Sequence, residues 1–245
     1  DGNITSWTTS ANPITQERWR HSSVVANGYL YVIGGVYTDG NPKTTVYKSK
    51  LSPDGSNGTW SSAGTALNTA VYSHASAVAN GYVYAIGGNA SNVTQYAKLN
   101  ADGSIGTWST STNLPAARND TGIAVINGTI YAIGGENSGY HANTFYASLS
   151  STGGIGTWNC QGSVGSCGTA TPVNSTALPS TRSEFSSVPV TANGYIYVIG
   201  GWNGAANNTV YYTSTSRVSI NGSLDLVGTS GQNLSEGNSG GTLTA

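Results

Sequence analysis

Three arginines stand at matching places in this 245-residue sequence, Arg18, Arg118 and Arg182, with Val71 where a fourth would stand. A guanidinium offers five donors in a planar fork. Such a set either ties neighbouring loops together through backbone carbonyls or gathers round a carboxylate or sugar acid. His21 and His74 also match, each six residues before an Asn-Gly pair, and His141 is the remaining histidine. A position dictated by a repeat argues for a structural role ahead of a catalytic one. The acids in the same neighbourhoods, Glu17, Asp39, Asp120, Glu136 and Glu184, make no recognisable pair for general acid and base work. Metal-ligand spacing, a phosphate-cradling glycine loop before a helix and a nucleophile elbow are all absent, so neither metal nor cofactor is expected. Cys160 and Cys167, seven apart in a Gly/Ser-rich stretch, are expected to form a loop disulfide. Trp19, Tyr37, Tyr72, Tyr140 and Trp202, with His141 beside Tyr140, supply rings that stack on sugars or fill protein pockets.

These residues are positioned by a unit written four times. Its clearest copy runs from His74 to Trp108, and every copy has an Asn-Gly pair: Asn27-Gly28, Asn80-Gly81, Asn127-Gly128 and Asn193-Gly194. Asn-Gly between alternating apolar runs predicts a two-residue hairpin, because both central residues need positive φ. First strands are predicted at Ser22 to Ala26, Ala75 to Ala79, Thr121 to Ile126 and Ser186 to Ala192. The second strands end in Gly34-Gly35, Gly87-Gly88, Gly134-Gly135 and Gly200-Gly201. Third strands are predicted at Thr44 to Leu51, Val93 to Leu99, Asn143 to Leu149 and Asn208 to Ser214, and fourth strands from Trp60, Trp108 and Trp158. The opening residues DGNITSW match the end of a unit, so Ile4 to Ser10 is expected as the outer strand of the last one.

The glycine doublet, a later Tyr (Tyr47, Tyr96, Tyr146, Tyr211) and then a Trp resemble the kelch repeat. That resemblance implies an all-β fold, a kelch-type β-propeller of four-stranded antiparallel blades. Four blades are visible; the alternative is part of a six- or seven-bladed ring, the number usual in that family. Residues 1–216 would form the propeller and 217–245 a Gly/Ser-rich exit segment or the start of a stem, similar to bacterial kelch-repeat surface proteins. Kelch repeats often carry Arg at the place of Arg18, Arg118 and Arg182.

Alternating connections pick the face that can bind. Turns from first to second strand and from third to fourth are short and nearly constant, whereas the opposite face carries 36–43, 136–143, 202–207 and the insert 159–182. Charged residues are 8% of the chain and the net charge is −1, which leaves no basic stripe for nucleic acid. The longest apolar runs fall far short of a membrane span. The function expected is therefore a non-catalytic recognition, adhesion or structural head, extracellular or at a cell surface. It would bind a glycan or protein through the loop face, with Arg18, Trp19, Tyr37, Tyr72, Arg118, Tyr140, His141, Arg182 and Trp202 as the candidate residues. One alternative is a glycan-active enzyme, sialidase-like or epimerase-like, using the arginines. Another is a self-assembling subunit of a surface appendage. Sialidases carry an arginine triad and an Asp-box turn, but Asp54 and Asp102 lie six residues before Trp60 and Trp108 where that box has five.

Overall fold

Asn27-Gly28, Asn80-Gly81 and Asn127-Gly128 each close a hairpin in the computed structural model, which describes residues 6–214 apart from 164, 166, 175, 186–189 and 193. Asn27, Asn80 and Asn127 sit at φ near 50° with Gly28, Gly81 and Gly128 at 70° to 79°, the geometry a type I′ turn demands. The first unit is β1 (Ser22–Ala26), β2 (Tyr29–Ile33), β3 (Val46–Lys50) and β4 (Ser61–Ser62). The second is β5 (Ala75–Ala79), β6 (Tyr82–Ile86), β7 (Thr94–Lys98) and β8 (Ser109–Thr110). In the third, β9 (Gly122–Ile126), β10 (Thr129–Ile133), β11 (Thr144–Ser148) and β12 (Asn159–Gln161) gain a fifth member, β13 (Pro172–Asn174), which runs parallel to β12. The fourth holds β14 (Val190–Ala192), β15 (Tyr195–Ile199) and β16 (Val210–Ser214). Within each unit the strands are hydrogen-bonded in chain order, so each is a meander.

Several boundaries are corrected. Third strands are shorter at both ends or at one, and fourth strands begin one residue after each Trp. Of the expected outer strand from Ile4 to Ser10, the first two residues lie outside the described ones and residues 6–10 are not in a strand. That stretch is tied to the first unit instead. Ser10 Oγ donates to Asn57 Oδ1 at 2.5 Å, and Trp60 Nε1 donates to Asn12 O at 3.1 Å. The fourth sheet therefore has three strands among the described residues, and the exit segment from 217 falls outside them.

Units pack face to face through alternate side chains. Tyr31 and Ile33 of the first meet Val83, Ala85 and Trp108 of the second. Tyr84 and Ile86 meet Ile130, Ala132 and Trp158 of the third, and Ile133 meets Ile196 and Val198 of the fourth. Three apolar clusters thus join four units, and among the described residues none joins the fourth to the first.

The glycine doublets are part of these joints. The second glycine's N–H donates to a carbonyl of the next unit: Gly35 to Val71 at 2.8 Å, Gly88 to Arg118 at 2.7 Å and Gly135 to Arg182 at 2.7 Å. A Cβ on the first glycine would lie 2.5 to 2.6 Å from that same oxygen. The recurring arginine position thus serves the joint with its backbone, which explains how Val71 can occupy it.

Candidate functional site

Each of the three guanidinium groups bonds within its own unit. Arg18 Nη1 donates to Gly34 O at 2.8 Å and Nη2 to Tyr37 Oη at 2.7 Å. Arg118 and Arg182 are almost wholly buried. Arg118 donates to Ala117 O at 2.8 Å and Asn143 Oδ1 at 3.0 Å, and Arg182 donates to Thr181 O at 2.7 Å and Thr209 Oγ1 at 2.7 Å. Each guanidinium lies over the ring at one fixed place in the third strand of its own unit, Tyr47, Phe145 or Tyr211, at 4.7 to 5.2 Å. In the second unit Val71 replaces the arginine and Gln95 replaces the ring, its amide exchanging hydrogen bonds with the backbone of Thr69 at 2.8 and 3.1 Å. Arginine and ring come and go together. That register also shows Tyr96 and Tyr146 one place later in the strand than Tyr47 and Tyr211.

Two residues past that position lies a set that sequence reasoning did not group: Arg20, Ser73, Asp120 and Glu184. All four are non-glycine residues at φ of 48° to 52°, and the first three lie two residues before β1, β5 and β9. The backbones of the first three link in turn, Ser73 N–H to Arg20 O at 2.9 Å and Asp120 N–H to Ser73 O at 2.8 Å. Burial pushes the Asp120 carboxyl up; a hydrogen bond with Ser73 opposes this, Glu136 and Glu184 add to it, and Arg20 opposes it. Lining the copies up on the arginine would have exposed this set. Its four side-chain types share no chemistry, so no repeated letter marks it.

The loop-face aromatics gather into two stations beside it. Arg20 lies 4.8 Å from the Trp19 ring and 5.7 Å from the Tyr72 ring, joining the first two units. Trp202 Nε1 donates to Tyr140 Oη at 2.9 Å, joining the last two. Trp19 and Trp202 are 54% and 39% exposed, open enough to meet a ligand. Tyr37 is half-buried and bonded to Arg18, and the His141 ring contacts Asn137 O at 3.4 Å, so both serve their own loops. Cys160 and Cys167 form the expected disulfide at 1.98 Å, both buried. A cavity of about 360 Å³ lies elsewhere, between that insert and Thr112, Pro115 and Trp158.

A further polar set centres on the buried His74. His74 Nε2 and Ser22 Oγ are 2.6 Å apart, and Ser22 Oγ is 2.5 Å from Ser76 Oγ. Burial, helped slightly by His21, pushes the His74 ring down to about 3, so it is neutral in the fold. The unfolded chain takes up that proton first. Stability is therefore fully retained above about pH 6.5 and is lost as pH falls toward 3, by about 2 kcal/mol between pH 7.5 and 5. Urea unfolding at the two pH values should show that drop, and His74→Gln should shrink the difference; equal pH slopes in both proteins would count against it.

The sequence from residue 186 to 212 matches the family model of the Kelch motif. A solved structure of YjhT superposes with a TM-score of 0.64 at 14% identity, over 84% of this chain and 68% of its own. This chain is a kelch-repeat β-propeller. No curated protein sequence matches it, so the kelch identification rests on the motif, the superposition and the four in-phase meanders. Among the described residues, the propeller has no helix long and apolar enough to cross a membrane and no His, Cys, Asp and Glu cluster able to hold a metal.

Proposed function

We propose that this kelch propeller is a non-catalytic recognition head, extracellular or at a cell surface, that binds carbohydrate through the loop face round its axis. What carries the reading is the pairing on one face of two aromatic stations, Trp19 with Tyr72 and Trp202 with Tyr140, beside the mixed charges Arg20, Asp120 and Glu184. Rings of this kind stack on the apolar faces of sugars, and hydroxyls between them find charged and amide partners. A buried disulfide suits an oxidising compartment.

Glycan arrays followed by calorimetry test this. Trp19→Ala and Trp202→Ala should each weaken binding at least about tenfold, near 1.4 kcal/mol, while thermal stability holds because both rings are exposed. Arrays and pull-downs that stay blank while a hydrolase panel turns over substrate would sink it.

One observation favours an enzyme instead: Asp120, pushed up by burial near Glu136 and Glu184, is a carboxyl suited to give a proton. On that reading Asp120→Asn abolishes turnover and spares binding. The arginines no longer support it, since their guanidinium groups are engaged inside the units.

A further inference from the structure

We propose that the paired rings of Trp202 and Tyr140 form a receptor for an organic ammonium group; resting on the carbohydrate reading above, this makes the ligand an amino sugar whose nitrogen is not acylated. Three of the five loop-face rings already carry a cation of the chain. Arg20 lies 4.8 Å from the Trp19 ring and 5.7 Å from the Tyr72 ring, while Arg18 and Lys43 lie 4.9 and 4.5 Å from the Tyr37 ring. Arg118 and Arg182 lie over Phe145 and Tyr211, and among the described residues no Lys or Arg lies over Trp202 or Tyr140. Trp202 is exposed and Tyr140 half-buried, so these two rings are open to a cation from outside.

Equivalent places in the repeat show why the chain supplies none there. The N–H groups of Lys43, His141 and Asn207 donate to Gly35 O, Gly135 O and Gly201 O at 2.9, 2.9 and 3.0 Å, so these three residues match. Arg20 matches Asp120 and Glu184, each two residues past the arginine position with φ of 48° to 52°. The two places that bring Arg20 and Lys43 to the rings of the first unit therefore hold Asp120 and His141 in the third, Glu184 and Asn207 in the fourth. Burial, helped by Arg118, lowers the His141 ring below its usual range, so it adds no cation at neutral pH.

Carboxylates stand where the cations are missing. Ser183 and Trp202 exchange backbone hydrogen bonds at 2.9 and 2.8 Å, which places Glu184 next along the chain from the indole's bridge partner; Glu136 pairs with Tyr140 in an antiparallel bridge. Both glutamates lie within electrostatic reach of Asp120. Among the described residues the ion pair is Lys43 with Asp39, on the first unit, and neither glutamate makes one. Open ring faces edged with negative charge attract an ammonium and disfavour a carboxylate or sulfate. The first station shows the same chemistry satisfied internally, with the Arg20 guanidinium seated between Trp19 and Tyr72.

Calorimetry of the 245-residue chain in mildly acidic buffer, with pentasaccharides of glucosamine, N-trimethylglucosamine and N-acetylglucosamine, tests this; tetramethylammonium is the sugar-free probe. The two cationic sugars should bind at least about fivefold tighter than the acetylated one. Trp202→Ala and Glu184→Gln should each narrow that ratio to less than about twofold, whereas Trp19→Ala should weaken all three sugars and keep the ratio. Tetramethylammonium should perturb the indole emission of the chain and not that of Trp202→Ala. An acetylated sugar that binds as tightly as the cationic ones overturns the ammonium site and leaves the carbohydrate reading standing. Silence from all three sugars beside a tetramethylammonium response that Trp202→Ala abolishes removes the carbohydrate reading and keeps the cation site. No response to any probe overturns both, and a cationic preference that survives Trp202→Ala and Glu184→Gln overturns the proposal.

Discussion

Gly87→Ala is expected to destabilise the propeller by about 4 kcal/mol, while Gly81→Ala, six residues earlier, costs about 1 kcal/mol. Both glycines hold positive φ, 66° and 79°, so both alanines meet the same left-handed penalty. Their surroundings separate them. Nothing lies within 4 Å of a Cβ on Gly81, whereas one on Gly87 would sit 2.6 Å from Arg118 O. That oxygen accepts the Gly88 N–H at 2.7 Å and belongs to the next unit's backbone. No rotamer change relieves the overlap; the joint between the second and third units must open. Urea titrations of the two variants check this, and equal midpoints would show that the doublet is merely a flexible exit.

Arg118→Ala should cost about 3 kcal/mol. The side chain is 2% exposed. Truncation removes the charge-assisted bonds to Ala117 O and Asn143 Oδ1 and opens a void beside Phe145. Arg118→Lys should recover little, because a point charge cannot reproduce the fork over the ring. Val71 with Gln95 shows that the site accepts an aliphatic residue only with its partner exchanged, so Arg118→Val with Phe145→Gln should recover more than Arg118→Val alone. Chemical unfolding checks the order, and a stable Arg118→Ala protein would reopen an active-site role.

The fold was legible because its punctuation is local. Asn-Gly and Gly-Gly are required by backbone angles and close approach, conditions met within a few residues and repeated in each unit. The partners of Arg18, Arg118 and Arg182 lay on a third strand over 25 residues away, and only the register of that strand shows which ring each covers. The axial set Arg20, Ser73, Asp120 and Glu184 stayed hidden for the opposite reason: its position repeats and its letters do not. The outer strand expected from Ile4 to Ser10 rested on likeness to the end of a unit, which says nothing about the sheet that receives it; Ser10 bonds to the first unit.

The distribution of the six tryptophans makes this protein its own optical reporter. Trp108 and Trp158 are buried, with their indole N–H groups donating to Thr65 O and Thr112 O at 3.2 and 2.9 Å, so they emit toward the blue. Trp7, Trp19 and Trp202 face water and emit toward the red, within reach of iodide. A ligand seated on the loop face shields Trp19 and Trp202 and alters only the red population, while separation of the units moves the blue one. A single emission spectrum therefore distinguishes occupancy from unfolding without any attached dye.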